Sequence, residues 1–170
     1  MNDKIKIGTV KNIAGEDFII LDVFESGVLC LSKDFVYRNT KFDDNSNNYA
    51  NSKIRKTLNM EYLEKISDAV GEENIVETEI DLTSDDGLDD YGKVADKVGL
   101  LTADMYRKYN RIIEKYPVND WWWLATPSST EHRGWKYTVR CVNGFGTLSR
   151  SNCSTNGGVR PFCILNPSIF

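Results

Sequence analysis

The sequence is short of the side chains that most catalytic and metal sites need. One histidine, His132, occurs in 170 residues, and the four cysteines (Cys30, Cys141, Cys153, Cys163) stand far apart with no Cys-x-x-Cys pair. Zinc sites usually show close ligand pairs, so a four-ligand site is disfavoured and no metal or cofactor is expected. The cysteines read as three buried small hydrophobes and one loop thiol. Four prolines and twelve glycines exclude collagen-like or low-complexity chains. No apolar run approaches the ~20 residues of a membrane span, so no membrane partner is expected. Met1 to Gly8 carries no apolar signal segment. The expected setting is the cytoplasm or a phage particle. Neither a phosphate loop, a nucleotide fingerprint nor a catalytic carboxylate pair is present. The chain reads as non-catalytic, with no catalytic residue to nominate.

What remains is 41% apolar, enough for one domain over residues 1–170. Net charge is −4 and unevenly divided: residues 118–170 hold five Lys/Arg against Asp120 and Glu131, an excess of +3, leaving −7 for residues 1–117. A negative chain does not hold duplex DNA by bulk charge, and nucleic acid is disfavoured as a partner. Nine acids and no base lie between Glu72 and Asp90. A calcium loop over Asp81–Gly92 fails, with Asp86 where glycine is needed and Gly92 where glutamate is needed. A solvated acidic loop is expected instead.

Alternation and branched residues predict a three-stranded meander over Lys4–Ile7, Asp17–Val23 and Val28–Leu31, with turns at Gly15 and Ser26-Gly27. Asn51 or Ser52 can cap a helix to about Val70, with Ile54, Leu58, Tyr62 and Ile66 as its buried stripe and Gly71 just past its end. A second helix is predicted from Thr102 or Ala103 to about Lys115. Its stripe is Met105, Tyr109, Ile112 and Tyr116, and Pro117 ends it.

Asn143-Gly144 between alternating segments predicts a two-residue type I′ hairpin. Val142 then opposes Phe145, and Arg140 opposes Thr147. Val139, Cys141, Gly146 and Leu148 point inward; Thr138, Arg140, Val142, Phe145, Thr147 and Ser149 point outward. Arg and Phe on one open face are interface-anchoring types. His132, Trp135 and Tyr137 precede them and Arg150 and Asn152 follow, a density of large adaptable side chains resembling a paratope. The candidate ligand-binding residues are His132, Trp135, Tyr137, Arg140, Phe145, Thr147, Arg150 and Asn152.

Five ordered elements resemble one family of uncharacterised bacterial and phage domains, over essentially the whole chain. Asp120-Trp-Trp-Trp-Leu-Ala-Thr-Pro-Ser resembles its WWLRSP element, and Gly157-Gly-Val-Arg-Pro-Phe-Cys-Ile-Leu its GGVRPALWL element. Asp17–Val23, Tyr49–Asn59 and Asp96–Thr102 resemble its early strand, its N-S-x-I-R-x-W-L-N helix start and its DKIFLLS strand. The resemblance implies an α+β, C-type lectin-like fold, with twisted antiparallel sheets packed on two helices. That subtype is shared with formylglycine-generating enzymes and retroelement variable proteins. It implies ligand contact between the two tryptophan and Gly-Val-Arg-Pro elements. Trp122, Trp123 and Arg160 are then scaffold, the guanidinium bonded to loop carbonyls. Ala125 and Cys163 depart from the family's Arg and Trp. The implied function is a non-catalytic module that recognises a protein or glycan through residues 128–156. The alternative is a phage or mobile-element effector that covers a host defence enzyme, with the acidic block mimicking nucleic acid.

Overall fold

The N-terminal third pairs as an antiparallel meander because its three apolar runs are separated by tight turns. The computed structural model describes residues 5–170. The strands are β1 (Val10–Ile13), β2 (Glu16–Phe24) and β3 (Gly27–Ser32). The first strand therefore lies downstream of the expected Lys4–Ile7, of which Lys4 is outside the described residues and Ile5–Ile7 form no strand. Ala14 (φ 57°) and Gly15 (φ 77°) both take left-handed backbone, as a two-residue hairpin turn requires. That turn fixes β1 beside β2 with Ile13 opposite Glu16. Phe18, Ile19, Ile20 and Leu21 are all buried, so both faces of β2 are covered.

β4 (Tyr37–Lys41) leads to the first helical stretch: α1 (Lys53–Thr57), a π turn (Leu58–Tyr62) and α2 (Leu63–Val70). Ser52 caps it, its hydroxyl accepting from the Arg55 amide, and Gly71 closes it at φ 84°. A stripe repeating every four residues drifts by about 40° per step on a straight 3.6-residue helix. The π turn absorbs that drift, the Leu63 amide reaching back five residues to the Leu58 carbonyl. Ile54, Leu58, Tyr62 and Ile66 consequently all stay buried. Arg55 Nη2 bonds Asp96 at 2.7 Å, tying α1 to the later strands.

β5 (Ile75–Val76), the ribbon of β6 (Thr78–Asp81) and β7 (Lys93–Asp96), and β8 (Val98–Leu100) follow. Then comes α3 (Ala103–Ile113), capped by Thr102. Its buried side is Ala103, Tyr106, Tyr109 and Ile113. The Met105–Ile112–Tyr116 stripe is thus displaced to the margin of the packed face, and the Tyr106 ring packs inward, edge to face on buried Trp122. The helix ends four residues before Pro117.

β9 (Trp122–Pro127), β10 (Thr138–Val142), β11 (Leu148–Asn152), β12 (Asn156–Val159) and β13 (Pro161–Leu165) complete the chain. The fold class is α+β. A six-stranded sheet runs β1-β2-β3-β13-β5, with β8 also paired to β13. A five-stranded sheet runs β11-β10-β9-β12-β4. The second sheet is mixed, since β12 meets β9 in parallel.

Arg160 stands where the chain leaves one sheet for the other, between β12 and β13. It is 1% exposed. Its Nε donates to the Ser32 carbonyl at 3.1 Å and its Nη2 to the Lys33 carbonyl at 2.9 Å. Its guanidinium lies 4.9 Å over the Trp122 ring. Burial pulls its pKa down to about 10, still far above neutrality, so the junction carries a permanent cation. The scaffold roles expected for Trp122, Trp123 and Arg160 hold. Arg160→Met should leave both carbonyls unpaired and cost about 3 kcal/mol in urea unfolding, at the upper end for an unsatisfied buried group. A cost under about 1 kcal/mol would show that the junction does not depend on these bonds.

Candidate functional site

The region between β9 and β12 is built by two devices, one at each end of β10. At one end the β9–β10 connection is pinned from a distance by Asn47, which is fully buried. Its Nδ2 donates to the carbonyls of Ser129 (2.8 Å), Trp135 (2.9 Å) and Thr138 (3.0 Å). Its amide donates to the Lys136 carbonyl at 2.7 Å. Its Oδ1 accepts from the Tyr91 hydroxyl, whose oxygen in turn accepts from the Glu131 amide. With the loop backbone so engaged, its side chains turn outward. His132 is exposed, Trp135 is 58% exposed and Tyr137 45%.

At the other end the chain reverses over Gly144-Phe145-Gly146, not over Asn143-Gly144 alone. The observed register pairs Val142 with Leu148, Cys141 with Ser149, Arg140 with Arg150 and Thr138 with Asn152. The predicted pairing is therefore shifted by three residues. Two local preferences outcompete the type I′ turn. Gly146, not Gly144, takes the left-handed conformation (φ 79°). Asn143 Oδ1 accepts from the amides of both Phe145 and Thr147 at 3.0 Å. Together they make a three-residue loop with a left-handed glycine at its end. The Tyr106 hydroxyl clamps the loop by donating to the Gly146 carbonyl at 2.6 Å. Phe145, at the tip, is 96% exposed.

The register shift rearranges the expected faces. Val139 and Cys141 point inward as expected, but Val142 is buried, and Leu148 lies on its side of the ribbon, opposite it. Arg140 is largely covered, its side chain 17% exposed and its Nε 3.7 Å from Asp85. Thr147 is exposed and closes the loop through its backbone; Arg150 is exposed directly across from Arg140. Asn152 is exposed, but its Oδ1 accepts from Ser154 and so serves its own turn. Of the eight candidates, His132, Trp135 and Tyr137 gather at one end of β10 and Phe145 and Thr147 at the other. Four strand steps, about 13 Å, separate the two groups.

Clefts flank Phe145. One of about 470 Å³ is lined by Asp120, Trp121, Cys141, Ser149 and Arg150. A smaller one of about 120 Å³ lies between Tyr106, Pro117, Trp122 and the loop. Sequence reasoning missed Asn47, Tyr91 and Tyr106. Their partners are 40 or more residues away, and no local pattern marks them.

All nine acids of the 72–90 segment are exposed, as a solvated stretch requires, but the segment is not all loop, since it contains β5 and β6. Asp85 and Asp86 face Arg107, Arg133 and Arg140, and Asp90 accepts from the Thr130 hydroxyl at 2.7 Å. All four thiols are buried, the loop thiol Cys153 included. Burial pushes Cys141 up to about 11 and Cys163 up to about 12, and raises Cys30 and Cys153. Among the described residues, no cluster of three or more His, Cys, Asp or Glu side chains is arranged to hold a metal ion. No described helix is long and apolar enough to cross a membrane.

A family profile described as a domain of unknown function, DUF6273, matches residues 25–167. No curated protein and no solved structure matches the chain.

Two outcomes test this geometry. Asn47→Ala should cost about 3 kcal/mol by stranding buried carbonyls and speed amide exchange across residues 128–138, with the β1–β3 amides least affected. At pH 8 the thiols should be protonated and alkylate very slowly with iodoacetamide, the rate at Cys141 rising about tenfold per pH unit and levelling off above about 11. Rapid labelling of the folded chain at pH 8 would contradict this.

Proposed function

We propose that this chain, which belongs to the DUF6273 family, is a non-catalytic binding module that engages a protein or glycan through residues 128–156. The observation that carries the reading is Phe145. An aromatic side chain 96% exposed contributes nothing to the core, yet its backbone is fixed by Asn143, Gly146 and Tyr106. Pre-organised aromatics lose little conformational freedom on binding, which makes them efficient anchors. Trp135 and Tyr137 repeat the arrangement at the other end of β10. The buried, protonated thiols support the non-catalytic part, since a thiol held neutral is a poor nucleophile.

The C-type lectin-like subtype and a bacterial or phage setting belong to the same proposal. The subtype is supported by sheets packed with two helical stretches and by the Trp122–Arg160 junction beside the display segment; the setting rests on the resemblance of the five sequence elements. The effector reading, with acidic mimicry of nucleic acid, has weaker support. Asp85 and Asp86 are turned toward arginines of this same chain.

Parent, Phe145→Ala and Trp135→Ala chains can be compared on a glycan array and by affinity capture, with every ligand found taken to titration. Each substitution should weaken binding by about 2 kcal/mol, roughly thirtyfold. The melting temperature should stay within about 2 °C. Unchanged affinity for every ligand in both variants removes the reading.

A further inference from the structure

Three guanidiniums from three separate elements converge on one turn. Arg107, from α3, donates through Nη2 to Asp85 at 3.1 Å. Arg140, from β10, stands 3.7 Å from the other Asp85 oxygen. Arg133, from the β9–β10 connection, stands 3.5 Å from Asp86. The two acids sit in a turn closed by the Gly87 amide on the Ser84 carbonyl at 2.9 Å, with Gly87 at φ 90°.

The turn does not saturate what faces it. Arg140 Nε is buried without a hydrogen-bond partner, its nearest Asp85 oxygen being 3.7 Å away. Arg150 lies directly opposite Arg140 and has no carboxylate partner among the described residues. Like charges directly opposed on a sheet repel unless an anion lies between them. A cleft of about 400 Å³ opens beside the turn, lined in part by Ser84, Asp85, Arg107 and Thr126. Only part of the turn's hold on the body is main-chain, through the Asp85 amide on the Pro127 carbonyl at 2.9 Å.

We propose that these arginines form a binding site for an acidic peptide segment of a partner protein, and that the Asp85–Asp86 turn occupies it as an internal competitor. Adjacent carboxylates on a partner would replace Asp85 and Asp86 on the same guanidiniums and supply an acceptor to Arg140 Nε. The ligand class follows from the present occupant, which is itself an acidic peptide. The site shares Arg133 and Arg140 with the 128–156 segment but uses neither Phe145 nor the exposed aromatics, so the two readings are tested separately.

The probe is a fluorescent peptide of residues 80–91 of this chain, titrated into full-length protein. Asp85→Asn with Asp86→Asn vacates the site, and this variant should bind the probe at least about tenfold more tightly than the parent, because an internal competitor lowers apparent affinity. Binding should weaken from about 50 to about 500 mM salt. It should be lost when Arg107→Gln and Arg140→Gln are added, or when the two probe residues that match Asp85 and Asp86 are replaced by asparagine, the probe's other three aspartates being kept. Phe145→Ala should change nothing. Equal binding by parent and vacated chain overturns the proposal, as does no binding by a folded vacated chain, or binding indifferent to the arginines. Loss in Phe145→Ala would move the peptide to the hairpin and equally overturn it. If the double variant does not melt cooperatively, Asp86→Asn alone is judged by the same criteria.

Discussion

The Asn47 carboxamide is the constraint on which the display region rests. It lies in a polar run, Asn45-Ser46-Asn47-Asn48, yet it is withdrawn from water and bonded to three carbonyls along residues 129–138, with the Asn47 backbone amide on a fourth. A loop of this length has backbone groups that need partners, and a surface loop usually finds them in water. Here several are met from within, by the Asn47 side chain, by the Tyr91 hydroxyl and by main-chain bonds. The rings of Trp135 and Tyr137 consequently stay largely exposed. Tyr91 locks the carboxamide from behind, so the β7 side of the acidic segment and the aromatic loop share one anchor.

A second chain of contacts reaches the hairpin from the junction of the two sheets. Arg160 holds the carbonyls after β3 and stacks on Trp122. Trp122 meets Tyr106 edge to face with ring centroids 5.8 Å apart. Tyr106 then reaches the Gly146 carbonyl. Each member is buried or half-buried, so the tip of the β10–β11 hairpin is referenced to the core of the first sheet rather than to its own strands alone. The charge on Arg160 suits this role, because a guanidinium can satisfy two carbonyls in its plane while presenting a face to an indole.

Much of this was legible in the sequence, wherever the cause is local. Ser52, Thr102 and Gly71 announced the helix ends through the chemistry of their own side chains or backbone. The four-residue stripe marked the buried side of the first helix, although only the structure shows the π turn that keeps it in line. The reversal near Asn143 was legible too, but its register was not. Two glycines flank Phe145, and which one turns left-handed depends on the Asn143 carboxamide and on Tyr106, 40 residues away. The outward orientation of Arg140 failed for the same kind of reason: its counter-charge comes from a distant turn. Asn47 was illegible altogether, because nothing in its neighbourhood separates a buried asparagine from a solvated one.

The hairpin tip has one more implication. Its shape is written in Asn143, Gly146 and Tyr106, and the residue between the two glycines has no vote in folding. Position 145 is therefore free to drift through amino-acid types at almost no thermodynamic penalty. The fold thus constrains the path of the backbone at this position and leaves the chemistry of its side chain open.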